Sequence, residues 1–467
     1  MNLRIGVLPL ARPTFDVPYA EEVAKAAFAS LDSLGAQIVG ERSLLFDANS
    51  AEAALGLLKA HELDLILILQ ATFTDAAMTV KVAESVTAPL AIWAFPEPRA
   101  GGRLRLNAFC GLNLAAHALG RAGTQFAWLY GPPTLVSLRV DLSQIAAGAR
   151  TDVNAPYART AMSVVDGERA RAVAAKLRGA RIGLVGEHPA GFDTCRYEPE
   201  ALSALAGVEV TKIPLPDLFA RASAIVGGEL ARERDDLDSK MTGLADVDQT
   251  QLMKSFQVLR AFESFRKDDG LSALAVRCWP EMFTEFGCAA CGPMGILNER
   301  RTPCACEADM YGAVTALILQ ELAGDAAYLV DIVDMDEESN TGVVWHCGSA
   351  PMSMADPETP PIAQIHSNRK MALLQEFALR PGRVTVARLS QAKNETALFV
   401  GGGEMLRAPK SFTGTSGVIR FDAPAATVTA RMMGEALEHH VAIVYGDHRA
   451  PLRALGQRLD LPVKELG

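Results

Sequence analysis

The chain lacks the features that mark several large classes of protein. It has no basic excess: 45 Lys and Arg stand against 55 Asp and Glu, a formal net charge of −10, and no basic run overrides that average. Phosphate-backbone binding needs concentrated Lys and Arg, so a nucleic-acid partner is not expected. No stretch approaches the roughly 20 apolar residues of a membrane span. The apolar part of MNLRIGVLPLARP is too short and too soon broken for a signal peptide. It reads as a buried strand, and the chain is expected to be cytoplasmic. The Gly-rich turn VGEHPAGF (185–192) carries neither GxGxxG nor GxxxxGK[ST], so dinucleotide and nucleoside triphosphate binding have no motif support. There is no low-complexity tract.

The 467 residues are 49% hydrophobic and 21% charged, ordinary for a globular protein with a large core. Length alone predicts about two to four domains. LRIGVLPLA, AQIVG, LDLILILQ, APLAIWAF and FAWLYGPP are short continuous apolar runs separated by helical or polar segments, such as the helical spacing over 19–34. That pattern predicts parallel strands covered on both faces. A second unit of the same kind starts near 180 with ARIGLVGEHPAGFDT, passes through a charged, helix-friendly stretch at 228–268 and the strand LSALAVRCWPEM, and ends in a helix over 305–323. After about 340, β-branched residues and Gly replace helical periodicity, which predicts an antiparallel sheet or barrel. The expected organisation is an α/β fold: an N-terminal doubly wound, Rossmann-like domain over 1–170, a second over 171–325, and a C-terminal antiparallel β-barrel domain over 326–467 carrying much of the site. The triple glycine at 401–403 and the GDH at 446–448 read as turns.

The chemistry-bearing residues concentrate between Arg277 and Pro351, in RCWPEM, CEADMYGA and VDIVDMDEESNTGVVWHCGSAP, and again in EHHVAIVYGDH (438–448). Glu307, Asp331, Asp334, Asp336, His346 and His440 offer carboxylate oxygens and imidazoles, a set that suits Mn²⁺, Mg²⁺ or Zn²⁺. A glutamate at a helix start is often only a partner for the helix dipole. Asp331 carries more weight, because a charge inside an apolar strand is costly unless paired or metal-bound. Asp334, Asp336, Glu337 and Glu338 read as a solvated loop. Strand alternation sends His439 and His440 to opposite faces, so at most one is expected in a site, and His448 is expected at the surface. Cys288, Cys291, Cys304 and Cys306 have a spacing compatible with structural zinc, set against the plainer reading of small buried thiols.

These motifs resemble the L-fucose isomerase / L-arabinose isomerase family, and its fucose branch more closely. VGEHPAGFD (185–193) agrees as well. The resemblance implies two α/β domains and a C-terminal barrel, and a homo-oligomer, trimeric or hexameric. It implies a divalent metal, usually Mn²⁺, with Mg²⁺ or another divalent ion as alternatives, held by Glu307, Asp331 and His440. The arabinose branch uses a further histidine at the place of His346; the fucose branch does without it, leaving His346 on the substrate side. Arg12, in LPLARPTF, and Trp93 are the corresponding sugar-binding candidates.

The implied reaction moves a carbonyl between C1 and C2 of an open-chain sugar such as L-fucose, D-arabinose or a related modified sugar. Glu307 and Asp331 would share the acid and base work through an enediol, beside a cation that polarises the sugar oxygens. Two other readings stay open: a different sugar-directed metalloenzyme, an epimerase or hydrolase, on the same scaffold, and a non-catalytic sugar-binding protein.

Overall fold

The computed structural model describes residues 3–149 and 162–466. Residues 150–161, inside the first expected domain, lie outside the described residues. Five parallel strands form the first sheet: β1 (Arg4–Leu10), β2 (Gln37–Val39), β3 (Leu65–Gln70), β4 (Leu90–Ala94) and β5 (Ala127–Tyr130), in the order β2-β1-β3-β4-β5. β3 and β4 are buried at every residue, as continuous apolar runs covered on both faces require. The helix Val17–Ser33 follows β1. Asp16 caps it by accepting from the Tyr19 N–H at 3.3 Å, and Ala20, Val23, Ala24, Ala27 and Leu31 form its buried stripe.

A second sheet is also parallel: β6 (Arg181–Val185), β7 (Glu209–Ile213), β8 (Leu271–Val276) and β9 (Cys304–Ala305), ordered β7-β6-β8-β9. Both sheets reverse strand order next to their first strand. In open parallel sheets such a reversal opens a crevice at the carboxyl ends, here after β1 and β3 in one sheet and after β6 and β8 in the other.

The remaining strands form one large mixed sheet: β10 (Tyr328–Asp336), β11 (Thr341–His346), β12 (Ile362–Gln364), β13 (Leu374–Ala378), β14 (Gly382–Ser390), β15 (Ala397–Leu406), β16 (Thr415–Phe421), β17 (His440–Tyr445) and β18 (Val463–Glu465). Most pairs are antiparallel; β13–β16 and β15–β18 are parallel. β15 pairs with β14 on one side and with β16 on the other. Gly401–Gly403 lie inside β15, so the triple glycine is not a turn. Gly402 and Gly403 pair with Thr385 and Val384 of β14. A Cβ on Gly403 would meet the Arg420 carbonyl oxygen at 2.7 Å, so the close approach of the flanking strand, not a reversal, demands glycine there.

The three sheets meet at a small apolar cluster. Phe73 comes from the end of β3, Phe192 from beyond β6, Val333 from β10 and Trp345 from β11. No described helix is long and apolar enough to cross a membrane.

Candidate active site

Five strand ends deliver side chains to one cavity of about 130 Å³ beside this cluster. Arg12 follows β1 and Phe73 follows β3. Cys278 and Trp279 follow β8, and Cys306 and Glu307 follow β9. Asp331 lies in β10, and His346 ends β11. Asp331 sits opposite His440 across β10–β17 and opposite Trp345 across β10–β11. Sheet register therefore sets the spacing of the carboxylate and the imidazole.

Glu307 is not in the first turn of the helix that follows. That helix spans Met310–Ala323, with Asp309 as its cap, accepting from the Gly312 N–H at 2.8 Å. Glu307 and Ala308 both have φ of 55°, a left-handed conformation that costs a non-glycine residue about 1–3 kcal/mol. The turn aims the Glu307 carboxylate into the cavity. Trp279 Nε1 donates to its Oε1 at 3.1 Å, while its Oε2 lies 3.3 Å from His439 Nε2 and 3.7 Å from His440 Nε2.

His440 is held from behind. Its Nδ1 lies 2.9 Å from Asp309 Oδ2, and a carboxylate there requires Nδ1 to carry the proton. The lone pair of Nε2 then faces Glu307 at 3.7 Å and Asp331 Oδ1 at 3.4 Å. Asp309 is gripped in turn by the fully buried Arg388, which reaches both of its oxygens, and Glu438 lies 3.8 Å behind Arg388. Sequence reasoning missed Asp309, Arg388 and Glu438. A signal was present in Arg388, a charge amid the apolar alternation of GRVTVARLS, and in Asp309, inside the CEADMYGA motif itself.

Burial would push Glu307 up, but the bond to His439, the His439 charge and the Trp279 N–H hold it down, at about 2. Burial dominates at Asp331 and raises it despite the two histidines. Burial and the neighbouring His439 keep His440 low, hence neutral. His439 is raised, because its bond to Glu307 and the charges of Asp331, Glu307 and Asp309 outweigh its burial.

The donors fit a divalent cation. Asp331 Oδ1 is buried with no hydrogen-bond partner among the described residues, and a buried carboxylate oxygen left so is costly unless something positive meets it. The tautomer of His440 turns a lone pair toward the same space. Two groups of possible ligands also lie close together: Cys195, Glu307, His439 and His440, and Cys306, His346 and His440. Burial pushes the Cys195 and Cys306 thiols well above their usual range. Glu307, Asp331 and His440 offer carboxylate oxygens and an imidazole, hard and borderline donors.

The structure brings Glu307, Asp331, His440, His346 and Arg12 together and separates others. Trp93 is fully buried in β4, donating to the Gly131 carbonyl at 3.2 Å. It cannot stack on a sugar; Trp279 is the indole at the cavity. His439 and His440 both reach the site, their rings 4.0 Å apart, because β17 begins only at His440 and strict alternation does not apply to His439. Asp334 is not solvated. It is buried and accepts from Arg99 Nε at 2.6 Å, the Glu97 N–H at 3.2 Å and the Tyr130 hydroxyl. A register shift between Ile332 and Asp334 turns it toward the first sheet. Glu337 and Glu338 are exposed, as expected of a loop. His448 is half-buried and bonded to Arg169 rather than lying free at the surface. Cys288, Cys291 and Cys304 belong to no group of three metal-binding side chains among the described residues. Cys306 instead faces His346 Nε2 at 2.7 Å.

The family model for "Fucose/sulfoquinovose isomerase, N-terminal domain" matches residues 6–153. Sulfoquinovose isomerases of Priestia aryabhattai and Alkalicoccus urumqiensis are each 30% identical to this chain, over 99% of both sequences. That of Clostridium sp. (strain MSTE9) is 30% identical over 98% of both. The chain belongs to the fucose isomerase-like family. It is therefore an enzyme, a sugar isomerase, and the non-catalytic sugar-binding reading falls away. For this isomerase the match runs through all three sheets, so the cavity where they meet lies within the shared length.

Proposed function

We propose that this isomerase interconverts sulfoquinovose, or a closely related 6-substituted aldose, with the corresponding 2-ketose by an enediol mechanism. It would use a divalent cation, Mn²⁺ first and Mg²⁺ or another ion as alternatives, held by Glu307, Asp331 and His440. The observation that carries the reading is the orphaned, buried Asp331 Oδ1 facing the lone pair of a His440 whose tautomer Asp309 sets.

A bound divalent cation would polarise the sugar carbonyl and offset the charge that develops on the C1 and C2 oxygens. The protein's own groups do the rest. Glu307 and Asp331 flank the sugar and share the work of removing the C2 proton and returning one to C1. Trp279 orients Glu307 through its N–H. Phe73, Phe192 and Trp345 line the wall and exclude water from the intermediate.

Full-length similarity to the sulfoquinovose isomerases supports this substrate class over L-fucose and D-arabinose. Three sheets support domains dividing near 170 and 325, and the β15–β16 pairing supports a barrel for the last. Eight free cysteines support a reducing, cytoplasmic compartment. A trimer or hexamer is proposed from the family resemblance and is read directly by light scattering.

The test is ketose formation from sulfoquinovose and a panel of aldopentoses, 6-deoxyhexoses and hexoses. The enzyme is stripped with chelator and resupplied with Mn²⁺, with Glu307→Gln in parallel. Metal-restored turnover, lost in the variant, and solvent deuterium at C1 of the ketose support the reading. A fully retained hydrogen label points to a hydride shift in place of the enediol route, and no ketose from any sugar and metal rules out the isomerase assignment.

A further inference from the structure

Trp279 has its N–H edge on Glu307, and its ring also meets two arginines. Arg12 Cζ lies 5.5 Å and Arg369 Cζ 5.2 Å from the ring centroid. Arg369 also lies 5.6 Å from the Phe283 ring. Arg12 follows β1, in the first sheet's crevice, and Arg369 sits in the turn between β12 and β13. Two elements far apart in sequence thus bring their guanidiniums to one wall of the cavity.

Both side chains are half-buried, and among the described residues neither forms an ion pair. Other arginines nearby are satisfied: Arg277 is bidentate to Glu281 and Arg388 to Asp309. Two like charges in a partly desolvated cavity repel. Burial, then the charge of Arg12, pulls Arg369 below its ordinary value. On a protein of net charge −10, with carboxylates plentiful, an unpaired cationic couple facing a cavity needs an anion from outside. Planar guanidiniums on an aromatic face present their N–H forks to an oxyanion, the geometry that suits a sulfonate, phosphate or carboxylate. Asn368, one residue away and in the same wall, has a buried carboxamide oxygen without a partner among the described residues, an acceptor for a sugar hydroxyl.

We propose that Arg12 and Arg369 together form the receptor for an anionic group at the far end of the sugar, across Trp279 from the Glu307–Asp331–His440 centre. This rests on the isomerase reading for its substrate and deepens it: the pair decides that the sugar is an anionic one. A sugar whose C1 and C2 lie at Glu307 runs along the indole and places its C6 substituent at the two guanidiniums. Arg12 lines its own chain's cavity.

The experiment compares sugars that differ only at C6, bearing sulfonate, phosphate, hydroxyl or hydrogen, on the metal-loaded enzyme and on Arg12→Gln, Arg369→Gln and Arg369→Lys. The wild type is expected to favour an anionic sugar over its neutral counterparts. Whichever of sulfonate and phosphate is preferred identifies the source of the charge. Each Gln variant is expected to raise KM for the anionic sugar roughly 10- to 100-fold, the size of a charged hydrogen bond, with a smaller change in kcat. The anionic preference then collapses, and Arg369→Lys recovers part of it. A preference unchanged in both Gln variants, or no anionic preference in the wild type, overturns the proposal. Calorimetric binding of the sulfonated sugar to metal-free protein separates the two readings. Binding lost in Arg369→Gln upholds the receptor even where no sugar is isomerised, and equal binding in both refutes it.

Discussion

Asp309 Oδ2 lies 2.9 Å from His440 Nδ1, and that contact decides which nitrogen of His440 faces Glu307 and Asp331. The carboxylate fixes the proton on Nδ1 and so points a lone pair, not an N–H, into the site. Arg388 fixes Asp309, and Glu438 stands behind Arg388.

Asp309→Asn should therefore weaken the site without emptying it of ligands. The amide can still accept from Arg388, but it can turn its NH₂ toward Nδ1 and favour the wrong tautomer. Divalent-metal affinity is expected to fall about 10- to 100-fold. Metal titration by calorimetry checks this, with activity partly recovered at high Mn²⁺.

Glu307→Gln leaves an oxygen for the Trp279 N–H and keeps the turn that aims the side chain, but it removes the charge. Turnover is expected to drop by about 10²- to 10⁴-fold with little change in melting temperature. Steady-state kinetics and calorimetry on the same preparation give both numbers.

Glu97 should impose a pH dependence on stability. Its buried carboxyl accepts from the Leu106 and Asn107 N–H groups at 2.9 and 2.8 Å. Burial, opposed by these bonds and aided by the Asp334 charge, pushes it from 4.5 up to about 7. The folded state thus holds a proton that the unfolded state releases between those values. Its stabilising share is complete below about 4.5 and is lost as pH rises through about 7, a change of about 3 kcal/mol. Melting temperatures of wild type and Glu97→Gln should separate toward high pH, the wild type falling while the variant, which cannot ionise, stays level. Parallel curves refute the assignment.

Trp93→Phe tests the correction to the sugar-binding set. The Gly131 carbonyl loses its indole donor, a cost of about 1–3 kcal/mol in a buried site. The melting temperature is expected to fall while KM for every sugar stays the same. A KM effect confined to one sugar would return Trp93 to the site.

Much of this protein was legible one segment at a time. LILILQ and LAIWA became fully buried parallel strands because a continuous apolar run has no face to give to water. The helix expected over 19–34 formed at Val17–Ser33, since its apolar spacing matches the helical turn and Asp16 supplies a cap. Glu307, Asp331 and His440 were identifiable as residue types in distinctive strings, and Asp331 also as a charge out of place in an apolar strand.

Other assignments failed where the answer depended on distant residues. Asp334 looked like its solvated neighbours in VDMDEES, but a shift in strand register presents it to Arg99 and Tyr130 of the first sheet. Trp93 and Trp279 are both tryptophans near strand ends. Only packing puts one in a core and the other between Glu307 and two arginines.

The sequence by itself therefore determined the kinds of element and the two parallel α/β sheets ahead of a β-rich C-terminal part, because these follow from local periodicity, and it concentrated carboxylates and histidines in a few distinctive strings. The tertiary structure alone decided which nitrogen of His440 faces the carboxylates, which tryptophan meets the cavity and that Arg12 and Arg369 share one wall. Each of these is set by the relative placement of strands and turns far apart in the chain, information that no local pattern carries.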